Sequence, residues 1–159
     1  MIIRQILGAP LAGTLKYLND EYSFIFEPLH LPELAHRSSG GVTSVTIDTL
    51  QIEVGVESKE ALYVWGFHPK NRWINSDLPI PKRTPGAVIF DIKHDLKAGI
   101  SIPISNAESW RTEYDSSNDW LRVSFGISAD EHLIEIADGI LLGEESGELT
   151  SVWLNPIFD

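Results

Sequence analysis

The stretch that decides the fold is residues 50–67, "LQIEVGVESKEALYVWGF". Leu50, Ile52, Val54 and Val56 alternate with Gln51, Glu53, Gly55 and Glu57, a period of two that predicts a half-buried strand. "ESKE" reads as a polar turn, and Tyr63, Trp65 and Phe67 then occupy alternate positions of a second strand. A four-residue loop, Glu57 to Glu60, pairs Val54 with Tyr63, Ile52 with Trp65 and Leu50 with Phe67. Paired residues share a face, so this register places the three aromatics in the core wall rather than on a ligand platform. An odd loop length reverses the parity.

Outward from this hairpin, strands dominate. "YSFIFEP" reads as a strand ended by Pro28, and "LHLPELAHRSSGG" as an irregular connection. "AVIFDI" is apolar on both faces and suits a central, doubly covered strand. "WLRVSFGI" directs Leu121, Val123, Phe125 and Ile127 inward and leaves Trp120 exposed or partly covered; the turn "DSSND" joins it to "SWRTEY". "ILLG", "EESGE" and "LTSVWL" form a last hairpin.

Two segments read as helices. Leu11, Leu15 and Leu18 follow Pro10 at helical spacing, predicting a helix near 11–19. In "ISADEHLIEIADG", Ala129, Leu133, Ile136, Ala137 and Ile140 repeat with helical period, Ser128 can cap with Glu131, and Gly139 can terminate a helix over 129–138. The expected fold is α+β, a single domain over 1–159 built on an antiparallel sheet with one or two packed helices. Residues 1–41 form a helix, strand and loop region, and 42–159 the main sheet body.

No run of about 18 apolar residues is present, and the start lacks a signal-peptide pattern, which points away from membranes and export. With no cysteine, disulfides and zinc–thiolate sites are excluded, as suits a reducing cytoplasm. The net charge of −11 argues against nucleic acid as a partner. Residues 1–104 hold 11 acidic and 10 basic side chains, whereas residues 105–159 hold 12 and 2. Nearly all the excess charge therefore lies in the last third, where it either steers a cationic partner or serves solubility.

No motif names a reaction, and no cofactor or metal is expected. His30, His36, His68, His94 and His132 fall in no metal-ligand spacing, and "DIKHDL", with Asp91, His94 and Asp95, reads as a solvated loop. G-x-S-x-G and phosphate-binding glycine loops are missing. Interaction chemistry is better represented: Trp110, Tyr114, Asp115, Asp119, Trp120, Glu144 and Glu145 combine aromatic anchors with carboxylates. Trp153 is expected to be buried. His68 and Trp73, beside Trp65 and Phe67, offer an alternative ligand site.

"ALYVWGFHPKNRW", "AGISIPIS" and "LIEIADGILLGEESGELTSVWLNP" resemble small acidic bacterial immunity proteins encoded beside polymorphic or contact-dependent toxins. The resemblance spans Ile52 to Pro156. It implies noncatalytic, cytoplasmic binding of a cognate toxin's C-terminal domain, commonly a basic nuclease. Two alternatives belong to other classes: a small-ligand or carbohydrate module, and a hydrolase whose constellation is assembled only by folding.

Overall fold

Period-two alternation is realised along most of the chain because nearly every segment finds a neighbour on both edges and a core on one face. In the computed structural model, which describes residues 1–126, 128 and 130–159, two seven-stranded sheets enclose one hydrophobic core. The first sheet contains β2 (Gly13–Leu18), β3 (Ser23–Pro28), β4 (Val42–Ile47), β5 (Leu50–Gly55) and β6 (Ala61–Phe67). The second contains β11 (Arg111–Asp115), β12 (Trp120–Ser124), β13 (His132–Ala137), β14 (Ile140–Glu145) and β15 (Glu148–Leu154). β1 (Ile3–Ile6) and β9 (Ala87–Phe90) form a separate antiparallel pair. That pair bridges to both large sheets, through Ile2 to Glu148 and through Ile89 to Glu60.

All four edges of the large sheets end in a two-residue strand in parallel pairing. β7 (Ile74–Asn75) lies on β11, β8 (Thr84–Pro85) on β13, β10 (Ile102–Pro103) on β4 and β16 (Ile157–Phe158) on β2. β7 follows β6 of the first sheet but closes the second, and β16 follows β15 of the second but closes the first. Short edge strands leave little exposed ladder for another chain to extend. Here they also stitch the sheets together.

The core is filled from both sides. Leu15, Tyr17, Phe24, Ile47, Ile52 and Val64 of the first sheet meet Leu121, Val123, Ile136, Leu142, Val152 and Leu154 of the second. β2 and β3 are thus integral to the first sheet, paired directly to each other and through β3 to β6.

The α+β expectation is overturned: the described residues form a β-rich fold, 50% strand and 8% helical, with three sheets and one α-helix among them. The segment 11–19 is mostly β2. Leu15 and Tyr17 are both buried, so the period-two signal carried by Tyr17 outweighs the leucine spacing. Residues 132–137 are β13, not helix. Ile134 and Ile136 enter the main core while Leu133 joins a second cluster on the opposite face. A strand that is apolar on both faces imitates helical spacing. Its Asp138–Gly139 turn, with Gly139 at φ 75°, is a hairpin connection rather than a helix end. Ile127 and Ala129, placed on the β12 face and in that helix, lie outside the described residues.

The helix that does form, α1 (Leu31–Arg37), occupies the segment read as irregular. Pro in its first turn and the Glu33–Arg37 pair at 2.9 Å were available signals. Its seven residues offered too short a periodic run. β9 is covered as expected but pairs with β1 rather than lying at the centre of a large sheet. The β11–β12 and β14–β15 hairpins have the predicted partners.

Candidate functional site

The opening hairpin carries the main correction. Its loop is four residues long, but the closing pair is Gly55–Glu60, shown by Gly55 N–H donating to Glu60 O at 3.0 Å. Val54 then pairs with Ala61, while Glu53 pairs with Tyr63, Ile52 with Val64 and Gln51 with Trp65. Leu62 is the extra residue of a β-bulge, and it reverses the parity of everything after it. Ala61 and Val64 belong to the core, whereas Tyr63 and Trp65 are paired with Glu53 and Gln51, Tyr63 still packing against the edge of the core. Phe67, paired with Ser23, is 47% exposed. Trp65 and Phe67 form a platform after all, while Tyr63 packs against the core and stacks on Phe26 at 5.4 Å.

This platform floors an open groove of about 610 Å³. Trp65, Phe67 and Ile25 supply its apolar surface, Gln51 and Thr46 its neutral polar groups, and Glu21 and Asp48 its charge. Among the described residues no Lys or Arg lines it. Glu53, buried between Tyr63 and Trp65, has its carboxyl pushed above the usual range by burial; the nearby Tyr63 hydroxyl and Trp65 indole act the other way. Trp65 Nε1 makes no hydrogen bond of its own. Tyr63 is pushed up to about 12, first by burial and then by the Glu53 charge. An aromatic floor with carboxylate flanks can stack a flat apolar group and attract a cation above it.

The outer face of the second sheet is closed instead. Trp120 is 5% exposed, a correction to the expected exposed position. It packs edge-on against Trp153 at 6.3 Å, within a cluster completed by Leu78, Leu133 and Leu141. Arg83 lies 5.4 Å over Trp120 and ion-pairs Glu135, while Arg122 lies 5.4 Å over Trp153 and ion-pairs Glu113. Asp115 pins the segment that carries Leu78. Its carboxylate accepts the Leu78 N–H at 2.8 Å and the Ser117 N–H and hydroxyl at 2.9 and 2.6 Å. These bonds, the Ser117 hydroxyl foremost, hold its carboxyl below the ordinary range.

The other sequence-predicted residues are dispersed. Tyr114 donates to Asp119 at 2.6 Å at the β11–β12 turn, and burial followed by that bond pushes its hydroxyl up to about 12. Glu144 accepts the Gly147 N–H, and Glu145 the Ser128 hydroxyl. Ile140 is level with Leu154 and Leu121 near the β11–β12 turn, and Glu145 is five residues further along β14. The two acidic turns are therefore about 17 Å apart along the strands, at opposite ends of the sheet. They are not one patch.

Trp73 is not on the surface platform. Its ring lies among Tyr17 at 4.8 Å, Tyr114 at 5.4 Å and Phe158 at 6.2 Å, with Nε1 buried and unpartnered. His68 and Trp110, predicted for different sites, line one cleft between the sheets, of about 260 Å³. His68 Nε2 lies 2.7 Å from Thr112 Oγ1. Burial pulls its imidazole down to about 4, with Asp48 opposing, so the ring is neutral at pH 7. Asp48 and Thr49, the β4–β5 turn, border both the cleft and the open groove. Sequence reasoning kept the basic 68–73 loop, with Arg72, as a candidate surface but passed over that turn, because nothing local marks a residue that two sheets bring to one rim.

Elsewhere His94 contacts its neighbour Asp95 O at 3.1 Å, Asp91 is paired to Lys93 at 2.9 Å, and His132 lies 3.0 Å from Gln5. Among the described residues no three His, Asp or Glu side chains stand together as a metal-binding group. No helix there is long and apolar enough to cross a membrane. The chain matches no protein-family model and no curated protein.

Proposed function

We propose that this protein is a noncatalytic, cytoplasmic binding protein of the immunity type, which neutralises a basic toxin domain by occupying part of its surface. The observation that carries the reading is the asymmetry of the two sheets. One outer face is sealed by Leu78, Arg83 and Arg122, whereas the other presents Trp65 and the exposed Phe67 beside Glu21 and Asp48. Aromatic anchors within complementary charge are what binding hot spots use, and the net −11 favours association with a cation-rich partner.

The test is coexpression with the C-terminal domain encoded directly upstream. Protection from its toxicity, a purified 1:1 complex, and loss of both on Phe67→Ala or Trp65→Ala are the expected results. A product that is neither toxic nor bound sinks the reading. Association slows markedly from low to high ionic strength if carboxylates steer the encounter; a salt-independent on-rate removes the acidic surface from the account.

A carbohydrate-binding reading draws on one specific observation, the Gln51 amide and Thr46 hydroxyl beside Trp65 in the same groove. Saturable quenching of tryptophan fluorescence by an oligosaccharide, abolished by Trp65→Ala, selects it over the toxin reading.

A further inference from the structure

Of the five tryptophans, Trp65, Trp120 and Trp153 lie within strands, and none of these three belongs to the main core. In the second sheet each has an arginine over its ring. Arg83 lies 5.4 Å from the Trp120 centroid and ion-pairs Glu135, and Arg122 lies 5.4 Å from that of Trp153 and ion-pairs Glu113. The register sets most of these groups in one row across the sheet: Glu113, Arg122, Trp153, Leu141 and Glu135 are paired in turn. A guanidinium over an indole, held by a carboxylate, is thus an arrangement that this chain builds twice.

Trp65 lacks that cover. Its cross-strand partner, in the place that Arg122 takes beside Trp153, is the neutral Gln51, and the next residue across is Thr46, where the second sheet has Glu113. Among the described residues no cation lies over the Trp65 ring, and no lysine or arginine lines the groove that it floors. Carboxylates do border that groove. Glu21 has no basic side chain within ion-pair distance among the described residues. Asp48 is engaged only by Arg72, at 3.3 Å across an exposed pair, a weak interaction.

We infer that Trp65 seats an arginine side chain supplied by the partner, its guanidinium lying over the indole as Arg122 lies over Trp153. The inference rests on the reading of the protein as a binder of a basic toxin domain and adds the residue that this domain must present. Arginine fits the seat better than lysine, because its planar, weakly hydrated cation stacks on a ring while its N–H groups reach acceptors such as the Gln51 amide. Phe67, 47% exposed, offers apolar contact to the methylene stem. A second copy of this chain is a poor occupant, since two chains of net charge −11 repel.

The probes are N-acetylarginine methylamide, its neutral citrulline analogue and its lysine analogue, each titrated into the full chain while the Trp65 indole NMR signal is followed. The arginine probe is expected to shift that signal saturably by about 50 mM, with the citrulline analogue at least roughly fivefold weaker and lysine intermediate. Gln51 gives two tests of opposite sign. Gln51→Arg supplies a guanidinium from within the chain and is expected to weaken probe binding by roughly tenfold, whereas Gln51→Glu adds an acceptor and strengthens it by roughly threefold. The proposal is overturned by citrulline or lysine binding as tightly as arginine, or by Gln51→Glu failing to strengthen binding. Undiminished binding in a Gln51→Arg chain that keeps the core amide signals of the intact protein overturns it too. In the coexpression assay, protection that survives Gln51→Arg removes the arginine seat and leaves the toxin reading standing. Selective arginine binding by a chain that protects against no toxin upholds the seat and removes that reading.

Discussion

His68 Nε2 and Thr112 Oγ1 meet at 2.7 Å across the gap between the two sheets, joining the end of β6 to β11 at the mouth of the cleft. The bond is local in space but 44 residues apart in sequence. Thr112→Val keeps the volume and removes the partner. An expected loss of about 1–3 kcal/mol follows from leaving the imidazole nitrogen unpaired. Urea unfolding of wild type and variant measures it.

The same histidine sets a pH dependence. Its folded pKa, about 4, lies below the ordinary value of 6.5, so the unfolded chain binds the extra proton between them. The contribution to stability is fully present above about 6.5 and is lost as pH falls through about 4. Glu53, whose carboxyl is raised by burial, has the opposite sign: its penalty grows as pH rises from the unfolded carboxylate range. Subtracting the stability profile of His68→Gln from that of wild type isolates the histidine. A difference that is flat between pH 4 and 6.5 contradicts the assignment.

Trp120 and Phe67 exchange the roles that their positions in sequence suggest. Trp120→Ala empties the cluster formed with Trp153 and Leu78 and is expected to cost about 3–5 kcal/mol. Phe67→Ala, at a position 47% exposed, is expected to change stability by less than about 1 kcal/mol and to act on binding instead. Thermal and urea unfolding of the pair, run side by side, tests which sheet face is structural.

Asp115 is an anchor for the segment across the second sheet. Asp115→Ala removes the acceptor for the Leu78 and Ser117 N–H groups. Hydrogen exchange at these two amides is expected to accelerate by roughly tenfold or more, with β14 and β15 unaffected. Because its hydrogen bonds hold the carboxyl low, the anchor is present above the unfolded aspartate pKa and weakens as pH falls through the lower folded value.

The edge strand β16 supplies the last prediction. Removing residues 157–159 takes away the parallel cover of β2 at Lys16 and Tyr17 and the Phe158 ring against Tyr17, Trp73 and Tyr114. An uncovered edge pairs with other chains. Light scattering is expected to show concentration-dependent self-association that the intact chain lacks.

Much of the strand content was legible from apolar and polar residues alternating in the sequence, as in β5, even though β12 and β15 bury Trp120 and Trp153 on their second face. The turns of the β11–β12 and β14–β15 hairpins carried their own chemistry. The two helices failed for different reasons: at 129–138 apolar residues on both faces of β13 erase alternation, and at 11–19 the spacing of Leu11, Leu15 and Leu18 imitates a helix while Leu15 and Tyr17 carry the buried face of β2. The candidate site was legible only in its composition. "ALYVWGF" shows that three aromatics alternate, not which way they point.

The amino-acid sequence by itself determined the charge, the absence of cysteine chemistry and the alternation that makes strands, since these reside in residue identities and their nearest neighbours. Tertiary structure decided everything that depends on parity and on distant partners. One bulged residue, Leu62, turned Trp65 and Phe67 outward, and the Leu78 segment buried Trp120. Only chain closure brought His68 to Thr112. A register shift of one residue changes few local energies but exchanges the two faces of a sheet, so the choice is made by what the rest of the chain can cover.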